Sequence, residues 1–538
     1  MILIYIKQVK IKRLMLLLMV MATVTFSCKK KNGIGEDPYG GGKMPLGVSF
    51  ADSGESAGSG VPGDQATIKV RGLLAYQGKF EFFINEIKTE VTSLTDSTLN
   101  IVVPANASSG GTTIVLDGQT FFGPKFTIEG KVSLDPTFKA KNGSNGTIAD
   151  ILLLQDGSYL LMGSFTNYQE KAAAAPINGI VKITKDGEFA AGLKAGKGTD
   201  GVLYTAIPLQ SGKFMVGGSM NSFNGRLGAS GITRLNGDGS LDTMVVDLIN
   251  LTPLFPKNGL DTVPAFNGGV LGTVNRIYAV DNKIITVGRF VGYRSTFYER
   301  STRLSKIVDF TPMNAFARMK LNGTLDSTYN FDKANKKGYP GVNGMIYESH
   351  MQPDHKIIAV GAFTNYNGSP AKNIVRVDTL GAFDPTFKTG SGADGDILSM
   401  VVNRVTGSIM ISGLFKNYNG VPADGVAMLK SDGSIDPTFK FGALTGGFAT
   451  HAIQLNSGKI LVSGTFKTYN GIVRQGFMVL NGDGSLAANY NNTGVFEGSV
   501  FKVIETTSAL GNPAVIMVGN IYKFDSQRVG NIVRIELK

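Results

Sequence analysis

The chain has no tryptophan, a single cysteine and three histidines in 538 residues, and only 17% of it is charged. Each shortage excludes something. One cysteine, Cys28, can build neither an internal disulfide framework nor a thiolate metal cluster. His350, His355 and His451 lack the spacing of a zinc-hydrolase motif. There is no Gly-x-Ser-x-Gly elbow, and no phosphate-cradling glycine loop ahead of a helix. The net charge of +12 is not concentrated: Lys7, Lys10, Lys12 and Arg13 belong to the N-terminal leader, and past Lys29-Lys30-Lys31 no basic run appears. Roughly +8 spread over so large a surface lacks the cationic face of a nucleic-acid binder. The turn from Asn236 to Asp242 has calcium-loop colour but no terminal glutamate at the required offset, so turn chemistry explains it. Neither metal nor cofactor is expected. The chain is read as non-catalytic, and dispersed carboxylate pairs, which spacing does not reveal, are the one enzymatic route left open.

Glycine, by contrast, is abundant, with 70 residues. After residue 130 one pattern recurs seven times: an apolar strand, a tight turn, a second strand ending in glycine, an aromatic five residues past that glycine, then a third strand. The glycines are Gly163, Gly218, Gly288, Gly361, Gly413, Gly464 and Gly519, and the aromatics are Tyr168, Phe223, Tyr293, Tyr366, Tyr418, Tyr469 and Phe524. A period near fifty residues with several short strands per unit predicts β-propeller blades that bury their faces only by stacking on neighbours. In the fifth repeat the strands are expected at residues 396–402, 408–415, 425–429 and 434–439. The seventh repeat ends on its third strand, while a solitary fourth-strand motif, Leu134 to Phe138, precedes the first. An open ring would expose an unpaired edge, so the two ends are expected to complete one another.

The predicted fold is therefore all-β: a small immunoglobulin-like sandwich at residues 46–130, then a seven-bladed propeller at 131–538 closed by an N-terminal strand. Residues 1–27 read as an export signal with a basic start, an apolar stretch from Leu14 to Val24 too short to span a bilayer, and a polar end at Ser27. Residues 28–45, with Gly40-Gly41-Gly42, read as a flexible tether.

Three resemblances add to this. The segment Thr25-Phe26-Ser27-Cys28-Lys29-Lys30 resembles the lipobox of bacterial lipoproteins in the form common in Bacteroidetes, which implies cleavage before Cys28, its lipidation, and anchorage to the outer membrane on the periplasmic or outer face. Thr25 departs from the usual leucine. The stretch from Leu99 to Pro104, followed by Ala107-Ser108-Ser109-Gly110, resembles the IPT/TIG immunoglobulin-like domains, which implies a spacer. Leu134-Asp135-Pro136-Thr137-Phe138, Phe383-Asp384-Pro385-Thr386-Phe387 and Ile435-Asp436-Pro437-Thr438-Phe439 are similar to the delta-60 repeat family of bacterial propellers, which implies the fold more than an activity.

Short turns such as Gln155-Asp156-Gly157 join first to second strands and third to fourth, whereas longer, variable links emerge together on the opposite rim, where binding is expected. Two insertions, residues 244–271 and 293–315, belong to that rim. The second carries Tyr293, Arg294, Phe297, Tyr298 and Arg300, aromatic plates and guanidinium donors suited to a glycan or a protein ligand; plain loop packing is the alternative. The sandwich is expected to enter from the tight-turn side, with the variable rim facing away from the membrane. The seven repeated aromatics are read as wedges between blades. Basic residues in the third strands (Lys182, Arg234, Arg318, Arg376, Arg534) either pair with fourth-strand aspartates or line the central channel. Docking on an outer-membrane transporter is the rival to ligand capture.

Overall fold

A computed structural model describes residues 46–51, 56–171 and 177–538; the leader, Cys28 and the tether lie outside the described residues. Ser49 to Lys538 form one compact unit.

Its first part is one eight-stranded path. Beginning with Ser49–Phe50 and Gln65–Arg71, it runs through the hairpin-paired strands to Gln119–Ile128 and ends on Ser56–Gly60. The path curls back on itself, because Ser56–Gly60 lies against Gln65–Arg71 and Ser49–Phe50 against Gln119–Ile128. Alternation directs Ile68, Val70, Phe82, Ile84, Leu99, Ile101, Ile114 and Phe126 inward, and each is buried.

From residue 132 onward the described residues form seven principal sheets of three to five strands, with short ribbons of two or three strands on the links between them. Their first strands are Ile148–Leu153, Val202–Pro208, Gly269–Val280, Met345–Met351, Ile397–Val402, Ala449–Gln454 and Glu497–Thr507. Each lies against the next, and the last returns against the first. Every apolar core sits between two neighbouring sheets. Ile409, Ile411 and Tyr418 of the fifth sheet, for example, pack on Ile358 and Val360 of the fourth. The gap between the last and first sheets is filled in the same way by Ile516, Val518 and Ile532 against Ile148 and Leu161. With about 1.5–3 kcal/mol per buried large apolar side chain, stacking rather than any single sheet holds the ring.

The recurring glycines have a steric cause. A Cβ on Gly163, Gly218, Gly288, Gly361, Gly413, Gly464 or Gly519 would fall 1.9–2.2 Å from a carbonyl oxygen in its own sheet's first strand or of the residue just before it. Opposite each glycine that first strand carries a bulge: the register slips between Ile148 and Asp150, Leu203 and Thr205, Val274 and Arg276, Ile346 and Glu348, Ile397 and Ser399, Ala449 and His451, and Val500 and Lys502. Glycine lets the backbones approach, and the bulge re-aims the side chains beside it.

The fourth strands are shorter than expected. Instead of a strand over 434–439 there is one bridge, Leu429 to Ile435, after which the Asp436 carboxylate accepts hydrogen bonds from the Thr438 amide (3.0 Å) and hydroxyl (2.7 Å). Pro437 has no N–H for a ladder, and the aspartate turn competes with it. In the last sheet the position is a true strand: Val132–Leu134 pairs antiparallel with Ile532–Leu537, Leu134 opposite Ile535. Arg534 locks this junction through Asp135 and stacks on Phe138, 4.8 Å from the ring centre. Arg234–Asp242 (2.6 Å), Arg318–Asp326 (2.8 Å) and Arg376–Asp384 (2.8 Å) repeat the pairing. Lys182 turns instead to Asp156 at 2.7 Å, because Ala190 replaces its fourth-strand aspartate.

The sandwich rests on the long-link rim, not the tight-turn side that the sequence suggests. Arg474 donates to the Asn106 carbonyl (3.0 Å), Lys125 pairs with Asp525 (3.5 Å), and the Ser109 amide donates to the Asn492 carbonyl (2.9 Å). Arg474 and Asp525 follow second strands, and Asn492 leads into the last sheet, so all three belong to the longer links.

Candidate functional site

Where the seven first strands converge on the long-link rim they enclose a cavity of about 710 Å³, to which every sheet contributes. The extra residue of each bulge lines it: Ala149, Tyr204, Asn275, Tyr347, Leu398, Thr450 and Phe501. Three are aromatic, on the second, fourth and seventh sheets. The residues after the bulges form a polar girdle below. Arg276 clasps Glu348 with two hydrogen bonds, Nε to Oε1 at 2.7 Å and Nη2 to Oε2 at 2.5 Å, and donates to the Tyr204 carbonyl at 3.1 Å. Asp150 lies 4.0 Å from Arg276 and 3.8 Å from Lys502. Burial works against the Arg276 charge, but Glu348 and Asp150 more than offset it and hold its pKa above the ordinary value.

The girdle also contains His451, 3% exposed. Its Nδ1 is 3.0 Å from the Ser399 hydroxyl, while Nε2 is buried without a partner among the described residues, and the residue lines the cavity. Burial first, then the nearby Lys502, pushes the imidazole down to about 4, so the ring is neutral at physiological pH. Serine beside histidine invites comparison with a catalytic pair. Here the serine sits on Nδ1, no carboxylate orients the ring, and a base so weak drives little proton transfer near pH 7.

A second cavity of about 780 Å³ opens on the tight-turn rim between the fourth and fifth sheets, lined by His350, His355, Arg376, Arg404 and Asp432 among others. It is marginally larger. Yet its Arg376 is committed to Asp384 and its Asp432 to Lys388 at 3.0 Å, and only two adjacent sheets build it. The channel mouth, with seven contributors and an unsatisfied buried nitrogen, is the better candidate.

The rim residues singled out from sequence behave differently from one another. Tyr293 is a correction: it is buried at 3% exposure and its hydroxyl donates to the Gly323 carbonyl at 2.9 Å, so it faces no ligand. It is the third repeat's copy of the recurring aromatic. Tyr168, Tyr366, Tyr418 and Tyr469 likewise donate to the carbonyls of turn glycines Gly187, Gly381, Gly433 and Gly484 at 2.5–2.8 Å. Arg294 is half-buried on a hairpin that prolongs the third sheet, opposite Phe310 of Ile307–Pro312. Phe297 is exposed and Arg300 covers its face at 5.4 Å, while Tyr298 is half-buried on the turn between them. None of the five lines the channel cavity. The other insertion forms a hairpin, Thr243–Asp247 with Leu260–Pro264, tied to the first by the Ile249 amide on the Ser301 carbonyl (2.9 Å) and by Lys306–Asp261 (2.7 Å). Sequence reasoning missed the channel residues, although the recurring glycines mark, across the ladder, the strand position at which each lies.

Residues 23–124 match a family described as a domain of unknown function (DUF5008). Residues 209–243, 352–387, 406–439 and 455–486 match a domain of unknown function (DUF5122) beta-propeller. These four stretches hold the second and third strands of the second, fourth, fifth and sixth sheets and begin after their first strands; the third sheet carries the inserted hairpin, the seventh has no fourth strand of its own, and the first lacks the aspartate. No curated protein matches the chain. Solved structures with some likeness include the computationally designed Ika8 protein (10% identity, 76% of this chain and 100% of that one, TM-score 0.38). Two others are auxiliary nutrient binding proteins, from Bacteroides ovatus (10% identity, 92% and 98%, TM-score 0.30) and Bacteroides thetaiotaomicron (10%, 78% and 95%, TM-score 0.26). All three scores are below 0.5. Among the described residues no helix is long and apolar enough to cross a membrane. Four of the repeating sheets thus match a beta-propeller family in part, and the N-terminal segment matches DUF5008.

Proposed function

We propose that this protein is a non-catalytic binding protein, a seven-bladed propeller carried on an immunoglobulin-like spacer and tethered to the outer membrane through a lipid on Cys28, whose channel mouth captures a glycan or protein-derived ligand. The observation that carries the reading is the inner ring of seven bulge residues, six residue types among seven positions, around one cavity. Identical side chains suit a symmetric structural task, whereas variety at one repeated position suits an asymmetric ligand. Tyr204, Tyr347 and Phe501 offer flat faces to sugar rings or aromatic side chains, and Thr147, Thr273 and Thr450 add hydroxyl partners. The cavity's one carboxylate, Glu348, is occupied by Arg276, which supports binding over hydrolysis. Glycan-array and peptide-array binding by the purified protein, compared with Tyr347→Ala and Phe501→Ala, tests this: a ligand retained by the parent and weakened at least ten-fold by either change supports it. Turnover of a captured polysaccharide, or a ligand indifferent to both changes, overturns it.

A second reading, assembly with a membrane transporter, is favoured by the paired hairpins. Leu251, Leu254, Phe255, Leu304 and Phe310 there are 49–98% exposed, and exposed apolar surface of this kind supports a partner. Co-purification with a membrane protein that is lost on Leu254→Glu with Leu304→Glu, and indifferent to Tyr347→Ala, would favour it.

A further inference from the structure

Resting on the channel-mouth reading, we infer that the captured ligand presents one carboxylate to Arg289. The charges around the mouth can be matched. Glu348 is held by Arg276 at 2.7 and 2.5 Å, and Asp150 stands between Arg276 (4.0 Å) and Lys502 (3.8 Å). Two carboxylates thus answer two cations. Arg289, midway along the third sheet's second strand, Lys283–Phe297, is left over. It is exposed on the cavity wall, its side chain contacts the Met345 sulfur at 4.0 Å, and among the described residues no carboxylate lies within ion-pair distance of it.

A planar guanidinium with an open fork matches a planar carboxylate through two parallel hydrogen bonds. The excess of one positive charge also fits a monoanion. A phosphate monoester would bring a second negative charge towards Glu348 and Asp150, whose cations are already shared. His451, which lines the same wall with its Nε2 buried and without a partner among the described residues, adds a polar group but no charge, because burial keeps the ring neutral. The ligand thus pairs an acidic group with a polar body reaching the girdle. Acidic sugars and peptide chain ends share this chemistry.

Calorimetric titration of the full chain separates them. The probes are trigalacturonate and its methyl ester, and a short aromatic peptide with a free or an amidated C-terminus. The expected result is binding of one free acid, at least ten-fold weaker binding of its ester or amide, and a similar loss for Arg289→Ala, partly restored by Arg289→Lys. Which acid binds identifies the source. Equal binding of the blocked and free probes, or no effect of Arg289→Ala, overturns the carboxylate; if Tyr347→Ala still weakens binding, the channel mouth survives without it. Failure of all four probes overturns the carboxylate as well, and array hits sensitive to Tyr347→Ala would again leave the site itself standing.

Discussion

Around the same axis the outer ring of Tyr168, Phe223, Tyr293, Tyr366, Tyr418, Tyr469 and Phe524 repeats an aromatic seven times, whereas the inner ring of Ala149, Tyr204, Asn275, Tyr347, Leu398, Thr450 and Phe501 never settles on a type. The outer side chains are all buried, and five of them hand a hydroxyl hydrogen bond to a turn glycine. Phe524 has no such turn to reach, because Val132–Leu134 arrives there from elsewhere in the chain. The inner side chains are mostly half-buried or exposed and make few bonds to one another. In a repeat protein, sameness at a position therefore reports what each unit needs from its neighbour, and variety reports what the whole ring offers to something else.

The largest effect expected from breaking this division lies on the repeated side, at the junction of the chain's two ends. Asp135→Ala leaves the buried Arg534 without its carboxylate, and removing one partner of a buried ion pair costs about 3–5 kcal/mol. Urea unfolding should show that loss, while the fraction still folded binds ligand with unchanged affinity. A loss below 1 kcal/mol would mean that the pairing of Val132–Leu134 is not what holds the ring shut.

Next in size is a test of whether any inner position also has structural duty. His451 is buried with its pKa lowered from 6.5 to about 4. The unfolded chain takes up a proton there before the folded protein does, so stability is complete above about pH 6.5 and falls as the pH drops towards 4. The loss is on the order of 3 kcal/mol. His451→Gln should flatten that part of the profile, measured by denaturant unfolding at pH 7, 5.5 and 4. His350, also lowered to about 4, by burial and then Arg404 and Lys502, keeps a residual slope in the variant. Asp326 and Asp384, held well below the carboxylate range by hydrogen bonds and cations that outweigh burial, contribute stability that is lost only below about pH 4. An unchanged slope in His451→Gln would remove this residue from the account.

How much of this was legible in the chain follows from which contacts are local. The repeat, its strands and the tight turns were readable, since glycine and aromatic recur at fixed offsets along one strand. The reason for the glycine was not, because the carbonyl that forbids a Cβ at Gly361 belongs to Met345, across a ladder. For the same cause the bulge residues are not marked in the sequence: they share a place, while only Tyr204 and Tyr347 share an identity. Tyr293 was misassigned because it belongs at once to the repeat and to an insertion, and only burial shows which membership decides its role. The sandwich was placed on the wrong rim because its contacts, such as Arg474 with Asn106, join residues 368 apart.

A milder perturbation of the outer ring separates hydrogen bonding from packing. Tyr418→Phe keeps the ring and deletes only the hydroxyl that Gly433 accepts at 2.8 Å, leaving a buried carbonyl short of a donor at a cost of about 1–3 kcal/mol. Phe223 and Phe524 already occupy this place in two sheets, so the variant should fold, bind normally and melt a few degrees lower. An unchanged melting temperature would reduce the five tyrosines to space-fillers.

The smallest expected change in stability carries the most information about function. Phe501 is 43% exposed and occupies the bulge between Val500 and Lys502, where its ring faces the cavity and not an inter-sheet core. Phe501→Ala removes little buried surface and keeps the backbone bulge, so unfolding free energy should move by no more than about 0.5 kcal/mol. Ligand affinity should fall at least ten-fold. The converse change sharpens the contrast: Leu398→Tyr adds an aromatic at another inner position without entering a packed core, and should alter which ligand binds while the melting temperature holds. If both variants lost stability as Tyr418→Phe does, the inner ring would be part of the scaffold, and its variety would reflect seven different solutions to packing instead of one asymmetric site.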